Sequence, residues 1–344
     1  MYYREVCMNS QLELNFDALI SIPKYKVIIE AVYEKIKTGE WKRGDKIPSL
    51  NQLCRQYALS QDTVLMAYNE LKARGIIASQ VGKGYYIQSD SLTGRHRVLL
   101  LFDTLSAYKE ELYSAFKAEL QGEGSEQIFF HHNNLKLFKT ILQEAVGEYS
   151  AYVIMPVPGK EAREIVSTLP SKKVYILDQG RKEFGNQYAF VCQDFERDIY
   201  RILKEYKQVV MLYNRLVLVV REQRLTHREI AMGFRDYGRS IDKQVLIINH
   251  MDEVEPQRKD LFVVVDDRDL AFLVRHSAKH NWLLGSDLGI VSYNEAPLKS
   301  VVSTGITTIS TDFVQMGQSM ARMIMQNKHE KIDNPFLMYR RSSF

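Results

Sequence analysis

The sequence predicts an α/β fold in two parts: a small N-terminal helix–turn–helix closed by a hairpin, then two lobes of parallel sheet flanked by helices. Two observations carry this. Residues 48–87 read as helix, turn, helix and a short hairpin with Gly82-Lys83-Gly84 at its tip. From Arg97 onward, short apolar runs alternate with amphipathic helical patterns. The polar, glycine-containing stretch 89–96 lies between them with a linker's composition, so the expected division is 1–88, 89–96 and 97–344.

Taken in order, residues 1–20 read as a leader ending in an edge strand at 12–16. From Pro23, apolar residues recur at Tyr25, Ile28, Ile29, Val32, Tyr33 and Ile36, the spacing of an amphipathic helix that Gly39 stops. Ser49 with Gln52 three residues later is a capping-box pattern opening a second helix. Ser60 caps a third, whose Val64, Ala67, Tyr68 and Leu71 share one face and which ends at Gly75. Residues 76–80 and 85–88 read as the two hairpin strands. Beyond the linker, strands are predicted at 98–102, 151–155, 173–177, 208–212, 244–248, 261–265 and 289–293, with helices at 110–121, 136–149 and 195–206. Strand–helix alternation on this scale implies two lobes with a ligand between them at the strand C-termini.

Composition excludes several classes. At 45% hydrophobic and 26% charged the chain is globular. No run of about 18 apolar residues exists to span a membrane, and the N-terminus lacks a signal peptide's apolar core. The expectation is a cytoplasmic protein. Cys7, Cys54 and Cys192 are too few and too scattered for a disulfide framework or a zinc knuckle. Net charge is +4, with 12 Lys/Arg against 10 Asp/Glu in residues 1–90. A nucleic-acid partner would therefore be met by placement of charge and not by its total.

The third helix has the form of a recognition helix. Gln61 can pair with an adenine edge and Thr63 can reach a phosphate or a thymine methyl, while Ser49 and Ser60 serve as caps. Lys83, between two glycines, can approach a DNA backbone closely. The expected DNA-contacting set is Ser49, Asn51, Ser60, Gln61, Asp62, Thr63, Gly82, Lys83 and Gly84.

Across residues 12–88 the chain resembles the winged helix-turn-helix of the GntR family of bacterial repressors. The resemblance rests on Pro23, Tyr25, Gly39, Gly44-Asp45, Ile47-Pro48-Ser49, Leu53, Ser60, Thr63-Val64, Ala67, Leu71, Gly75-Ile76-Ile77 and Gly82-Lys83-Gly84. It departs where the family often reads DNA with arginines, positions that here hold Asn51, Gln61 and Leu65. That departure implies a different operator and a shallower salt dependence.

Residues 97–344 resemble the sugar-sensing domain of the LacI/GalR family, itself similar to periplasmic sugar-binding proteins. Residues 284–298, Thr307-Thr308-Ile309, Met316-Gly317, Ala321, 339–343, 98–103, Leu177-Asp178, Asp194 and Gly233-Phe234 carry it. It implies a two-lobed, Rossmann-like sensor that dimerises and grips a carbohydrate. The implied contacts, mapped by offset, are Ser106, Tyr108, Lys109, Asp178, Asp194, Asp267 and Asn294. The usual clamping arginine, three residues before Gly233, is Ile230, with Arg228 nearby. Lys109 and Arg228 point to a sugar phosphate as an alternative to a pentose or deoxyhexose such as arabinose or fucose.

Other chemistry is poorly supported. His276 and His280 lie four apart without the intervening glutamate of a zinc protease, and Gly82-Lys83 lacks the rest of a P-loop. No nucleophile–base set, metal site or cofactor motif is evident. The expectation is a dimeric repressor of carbohydrate-utilisation genes that binds operator DNA and a sugar. A carbohydrate-processing enzyme with an attached DNA module is the alternative.

Overall fold

A computed structural model describes residues 12–14, 23–80, 82–89, 96–122, 124–221 and 225–344. Cys7, most of the predicted leader and nearly all of the linker fall outside the described residues. Of the edge strand predicted at 12–16, residues 12–14 are described, and they are not strand. Leu12 nonetheless seals the small core, and its carbonyl accepts from the Tyr57 hydroxyl.

The N-terminal module comprises α1 (Lys24–Lys37), β1 (Lys46–Ile47), α2 (Leu50–Tyr57), α3 (Gln61–Ala73), β2 (Ile77–Gln80) and β3 (Gly84–Ile87). Its strands form one antiparallel sheet in the order β1-β3-β2. The capping box at Ser49 and Gln52 forms, and Ser60 Oγ accepts from Thr63 N. Tyr68, fully buried, donates to the Pro48 carbonyl at 2.6 Å and so fixes α3 against the start of α2.

The remainder builds two six-stranded sheets. In chain order it runs β4 (His96–Phe102), α4 (Ala107–Leu120), β5 (Gly124–Phe130), α5 (Leu135–Glu144), β6 (Ala151–Ile154), α6 (Lys160–Val166), β7 (Val174–Asp178), α7 (Arg181–Phe184) and β8 (Ala189–Cys192). The second lobe adds α8 (Phe195–Glu205), α9 (Lys207–Val210), β9 (Arg215–Val219), α10 (Leu225–Ser240), β10 (Gln244–Ile248), β11 (Asp260–Val264), α11 (Asp267–Lys279), β12 (Leu288–Tyr293), α12 (Pro297–Val301) and β13 (Thr307–Thr311). The chain then returns to the first lobe for α13 (Phe313–Met325) and β14 (Lys331–Asp333), and ends in the second with β15 (Phe336–Tyr339).

The first lobe's sheet, β14-β8-β7-β6-β4-β5, is parallel throughout. The second, β10-β9-β11-β12-β13-β15, is parallel except for its last pair. Strands such as Ala151–Ile154 and Leu288–Tyr293 are wholly buried because helices cover both faces. One predicted strand is wrong. Residues 208–212 form the end of α9 and a turn, with Leu212 exposed, and the strand lies at Arg215–Val219. Val210 alone of that first apolar run reaches the core fully buried, which suits a single helical turn better than a strand.

The chain passes between the lobes at 193–194, 312 and 334–335. Asn334 ties these passages together. Its N–H donates to Cys192 O at 2.8 Å, and its amide Nδ2 donates to Thr311 Oγ1 at 2.8 Å and Asp312 O at 2.9 Å.

The module rests on the first lobe through the C-terminal half of α3. Glu70 pairs with Lys173 at 2.6 Å and Lys72 with Glu148 at 2.6 Å, while Arg97 reaches Glu148 at 3.7 Å and lies over the Tyr149 ring. Ala73 is fully buried yet is no part of the module's own core cluster.

Two glycines set the helix packing on either lobe. A Cβ on Gly317 of α13 would stand 2.3 Å from Leu112 O of α4, and one on Gly233 of α10 would stand 2.0 Å from Glu196 O beside α8. Gly317→Ala is therefore expected to lower the urea midpoint, at a cost of about 1–3 kcal/mol. An unchanged midpoint would mean that α4 and α13 can part freely.

Candidate functional site

Between the lobes lies an open cleft of about 920 Å³ at the C-terminal ends of both sheets. Parallel strands converge their following loops there, so side chains just past each strand face one space. From the first lobe come Asp103, Ser106, Tyr108 and Lys109 after β4, Asp178 and Gln179 at the end of β7, and Gln193 after β8. From the second come Arg221, Arg228, Asp266, Asp267, Tyr293, Asn294, Glu295 and Lys299. Asp178 and Asn294 sit at φ +66° and +63°. Asp and Asn enter this left-handed region more readily than most residues, which turns the chain sharply off the strand.

The cleft thus gathers Ser106, Tyr108, Lys109, Asp178, Arg228, Asp267 and Asn294, seven of the positions implied by resemblance. Asp194 stands apart. It caps α8 by accepting from Arg197 N, pairs with Arg181 at 3.0 Å, and borders a small adjoining recess instead. Ile230, at the position where the resemblance implies a clamping arginine, is buried and lines the cleft, so it brings no cation there.

The first-lobe wall centres on a buried triad. Lys109 is 4% exposed; its ammonium bonds Asp103 closely and stands 4.0 Å from Asp178. Burial alone would depress the Lys109 ammonium, but the Asp178 and Asp103 charges outweigh it and hold it above its ordinary value. Burial pushes the Asp178 carboxyl up; Lys109 opposes this, while Asp103 adds to it, because two carboxylates share one ammonium. Gln193 Nε2 donates to Asp178 Oδ1 at 2.6 Å.

The second-lobe wall is equally pre-arranged. Lys299, 5% exposed, donates to Tyr293 O and Asn294 O, both at 2.9 Å, and pairs with Asp267 at 2.9 Å. Arg221 holds Asp269 at 3.0 Å, and Glu295 is gripped by Arg341 at 2.8 Å. Tyr108 stacks on Phe313 with ring centroids 4.8 Å apart, an aromatic surface at the cleft's edge. Three residues that line the cleft each hold a buried polar atom with no hydrogen-bond partner among the described residues: Ser106 Oγ, Gln193 Oε1 and Tyr293 Oη.

Reading the sequence did not single out Asp103, Gln193, Tyr293, Lys299, Arg221 or Phe313 as site residues. The signal was position: all but Lys299, which lies within α12, stand at a strand's end or in the first residues beyond it. His276 and His280 pack as tilted rings with centroids 4.2 Å apart, and Trp282 meets His276 edge-on, on the second lobe away from the cleft. Among the described residues no group of three or more His, Cys, Asp or Glu could hold a metal, and no helix is long and apolar enough to cross a membrane.

On the DNA-module side, Asn51, Ser60, Gln61, Asp62, Gly82 and Lys83 are exposed, and Ser49, Thr63 and Gly84 partly so. Gly82 and Gly84 take φ +72° and +110°, which lets the hairpin tip turn around Lys83. Ser49 and Ser60 both have their hydroxyls engaged in capping.

Residues 24–87 match the model of bacterial regulatory proteins of the gntR family, and residues 188–343 match that of a periplasmic binding protein-like domain. The chain thus joins a module that matches the gntR-family model to a domain that matches the periplasmic binding protein-like model. The HTH-type transcriptional repressor YtrA of Bacillus subtilis (strain 168) is 36% identical over 80 residues, covering 23% of this chain and 62% of that protein. The first two curated relatives are matched over only 15% and 62% of their own length. The dimeric Lac repressor with an 11-residue C-terminal deletion shares the fold at TM-score 0.61 and 14% identity, over 72% of this chain and 98% of that one. A periplasmic binding protein/LacI transcriptional regulator from Alkaliphilus metalliredigens QYMF, complexed with D-xylulofuranose, does so at TM-score 0.56 and 11% identity, over 72% and 98%. The GntR-type module thus sits on a LacI-like fold, in a chain whose relatives are HTH-type transcriptional regulators.

Two expectations follow from the site's electrostatics. Lys109→Met leaves Asp103 and Asp178 buried without their cation, and should cost about 3–5 kcal/mol in urea unfolding at neutral pH. The loss should shrink in acid as the Asp178 carboxyl, pushed up by burial, takes up a proton. Asp198, in the first turn of α8, is held up at about 6 by burial against an ordinary 3.8. A raised carboxyl means the native state holds its proton more tightly than the unfolded chain does. Its contribution to stability is full below the unfolded value and is lost as pH rises through about 6. Asp198→Asn should therefore stabilise by about 2–3 kcal/mol at neutral pH and by little at pH near 4, read from urea midpoints across that range.

Proposed function

We propose that this transcriptional regulator is a dimeric, cytoplasmic repressor whose operator affinity is set by an uncharged carbohydrate in the interlobe cleft, and that it regulates carbohydrate-utilisation genes. The observation that carries the ligand's nature is the trio of unpartnered buried polar atoms, Ser106 Oγ, Gln193 Oε1 and Tyr293 Oη. Buried polar atoms want hydrogen bonds, and a polyhydroxylated ligand supplies both donors and acceptors. The Tyr108–Phe313 stack offers an apolar surface for the C–H face of a sugar ring.

Charge favours a neutral sugar over a sugar phosphate. The cleft lining carries six carboxylates against five lysine and arginine cations. Lys109, Lys299, Arg221 and Arg268 are already matched by fixed acceptors. A phosphate would enter a site whose positive charge is mostly spent, next to acids that repel it. The D-xylulofuranose in the Alkaliphilus protein supports a sugar of this general size. For the module, Gln61, Asp62, Thr63 and Asn51 would meet the major groove, and Lys83 the backbone.

A thermal-shift panel of pentoses, deoxyhexoses and their phosphates tests the sensor reading. A neutral sugar present at a hundredfold excess over its Kd should add about 2.7 kcal/mol and raise the melting temperature by several degrees. Shifts from phosphates alone would overturn the neutral-ligand assignment, and no shift from any sugar would overturn the sensor assignment. Retardation of a duplex by the full chain at physiological salt, weakened by Lys83→Ala, is expected for the DNA-binding reading.

A further inference from the structure

The face of α3 turned away from the module's core carries Asp62, Leu65, Met66, Asn69 and Ala73, since Val64, Ala67, Tyr68 and Leu71 turn inward. The first lobe covers the far end of that face. Ala73 is fully buried, Asn69 lies against Gly147, and Glu70 and Lys72 are ion-paired to Lys173 and Glu148. What remains open is the first two turns. Two large apolar side chains stand there in water, Leu65 at 37% and Met66 at 53% exposure, and they are the exposed large hydrophobics of the described module.

This open face holds neither lysine nor arginine from Gln61 to Tyr68. It therefore offers guanine no bidentate cation, the commonest specific contact in the major groove. A helix about 10–12 Å across with its side chains fits a major groove about 12 Å wide. The one apolar group displayed on the floor of that groove is the thymine 5-methyl.

We propose that Leu65 and Met66 are specificity-determining residues that read thymine 5-methyl groups in the operator half-site. The inference rests on the DNA-binding reading above and names what that face recognises. Burying two adjacent apolar side chains against methyls takes both out of water, and replaces with shape and desolvation the polar contacts that the helix lacks.

The test begins by selecting bound duplexes from a randomised library with the full-length chain, then replacing each thymine of the selected half-site with deoxyuridine. At one or two positions loss of the methyl should weaken binding about four-fold. Leu65→Ala or Met66→Ala should bind more weakly and no longer distinguish thymine from deoxyuridine at its own position. Tight binding with no position sensitive to the methyl, or a penalty that persists in both variants, would overturn the inference while leaving DNA binding intact. If no duplex is selected, the DNA-binding reading falls and this inference with it. Both side chains are exposed, so the variants should fold, and sedimentation supplies a second arm. Met66→Glu should leave the oligomeric state unchanged; loss of self-association would assign the patch to a second copy of the chain and overturn the proposal.

Discussion

The buried junction at Asn334 is the constraint on which the rest of the molecule depends. Two sheets with separate cores are joined through three passages, and one residue, 4% exposed, ties them: its backbone N–H bonds Cys192 O and its side-chain amide bonds Thr311 Oγ1 and Asp312 O. A buried amide left without its partners would cost more than the bonds return in water, so the passages are held in register. Around the junction, Arg181 of the first lobe holds Asp194 and Asp333, and Lys182 reaches Glu196 and Glu229 of the second. Burial pushes the Glu229 carboxyl up despite Lys182 beside it, so this bridge is partly withdrawn from solvent.

The same geometry decides what an occupied cleft can do. Its two walls belong to different lobes, and among the described residues α3 is ion-paired to the first of them, through Glu70–Lys173 and Lys72–Glu148. Partly exposed ion pairs are worth about 0–1 kcal/mol each, so the contact is modest by itself. Tethering raises its effective concentration, and the buried Ala73 adds packing. A change of lobe angle would thus be expressed as a change in where two such helices stand relative to each other in a dimer.

Much of this was legible in the sequence, and the failures have physical causes. Cap chemistry is local, so Ser49, Gln52 and Ser60 marked their helices correctly. Fully buried apolar strands such as 151–154 and 261–264 announced themselves as runs. The strand Gly124–Phe130 did not, because an edge strand alternates and reads GSEQIFF. Nor did Thr307–Thr311, which is wholly buried although four of its five residues carry hydroxyls. Between 208 and 219 two apolar runs compete, and periodicity alone cannot separate a buried helical turn from a strand. Each missed strand hid the residues after it: without β8 and β13, Gln193 and Phe313 had no reason to be placed at a cleft. Offsets carried over from a resemblance did better at Lys109 and Asp178, whose strands were visible, than at Asp194, where a helix cap had the prior claim on the carboxylate.

The central claim is that the cleft and the recognition helix share one equilibrium. It is tested most directly by titrating operator DNA into the full-length chain with the cleft empty, and again with it saturated by a sugar that raises the melting temperature. Coupling of 1–3 kcal/mol predicts that operator affinity changes by about 5–150-fold, with the reciprocal change in sugar affinity when operator is bound. A saturating sugar that leaves operator affinity the same would contradict the account.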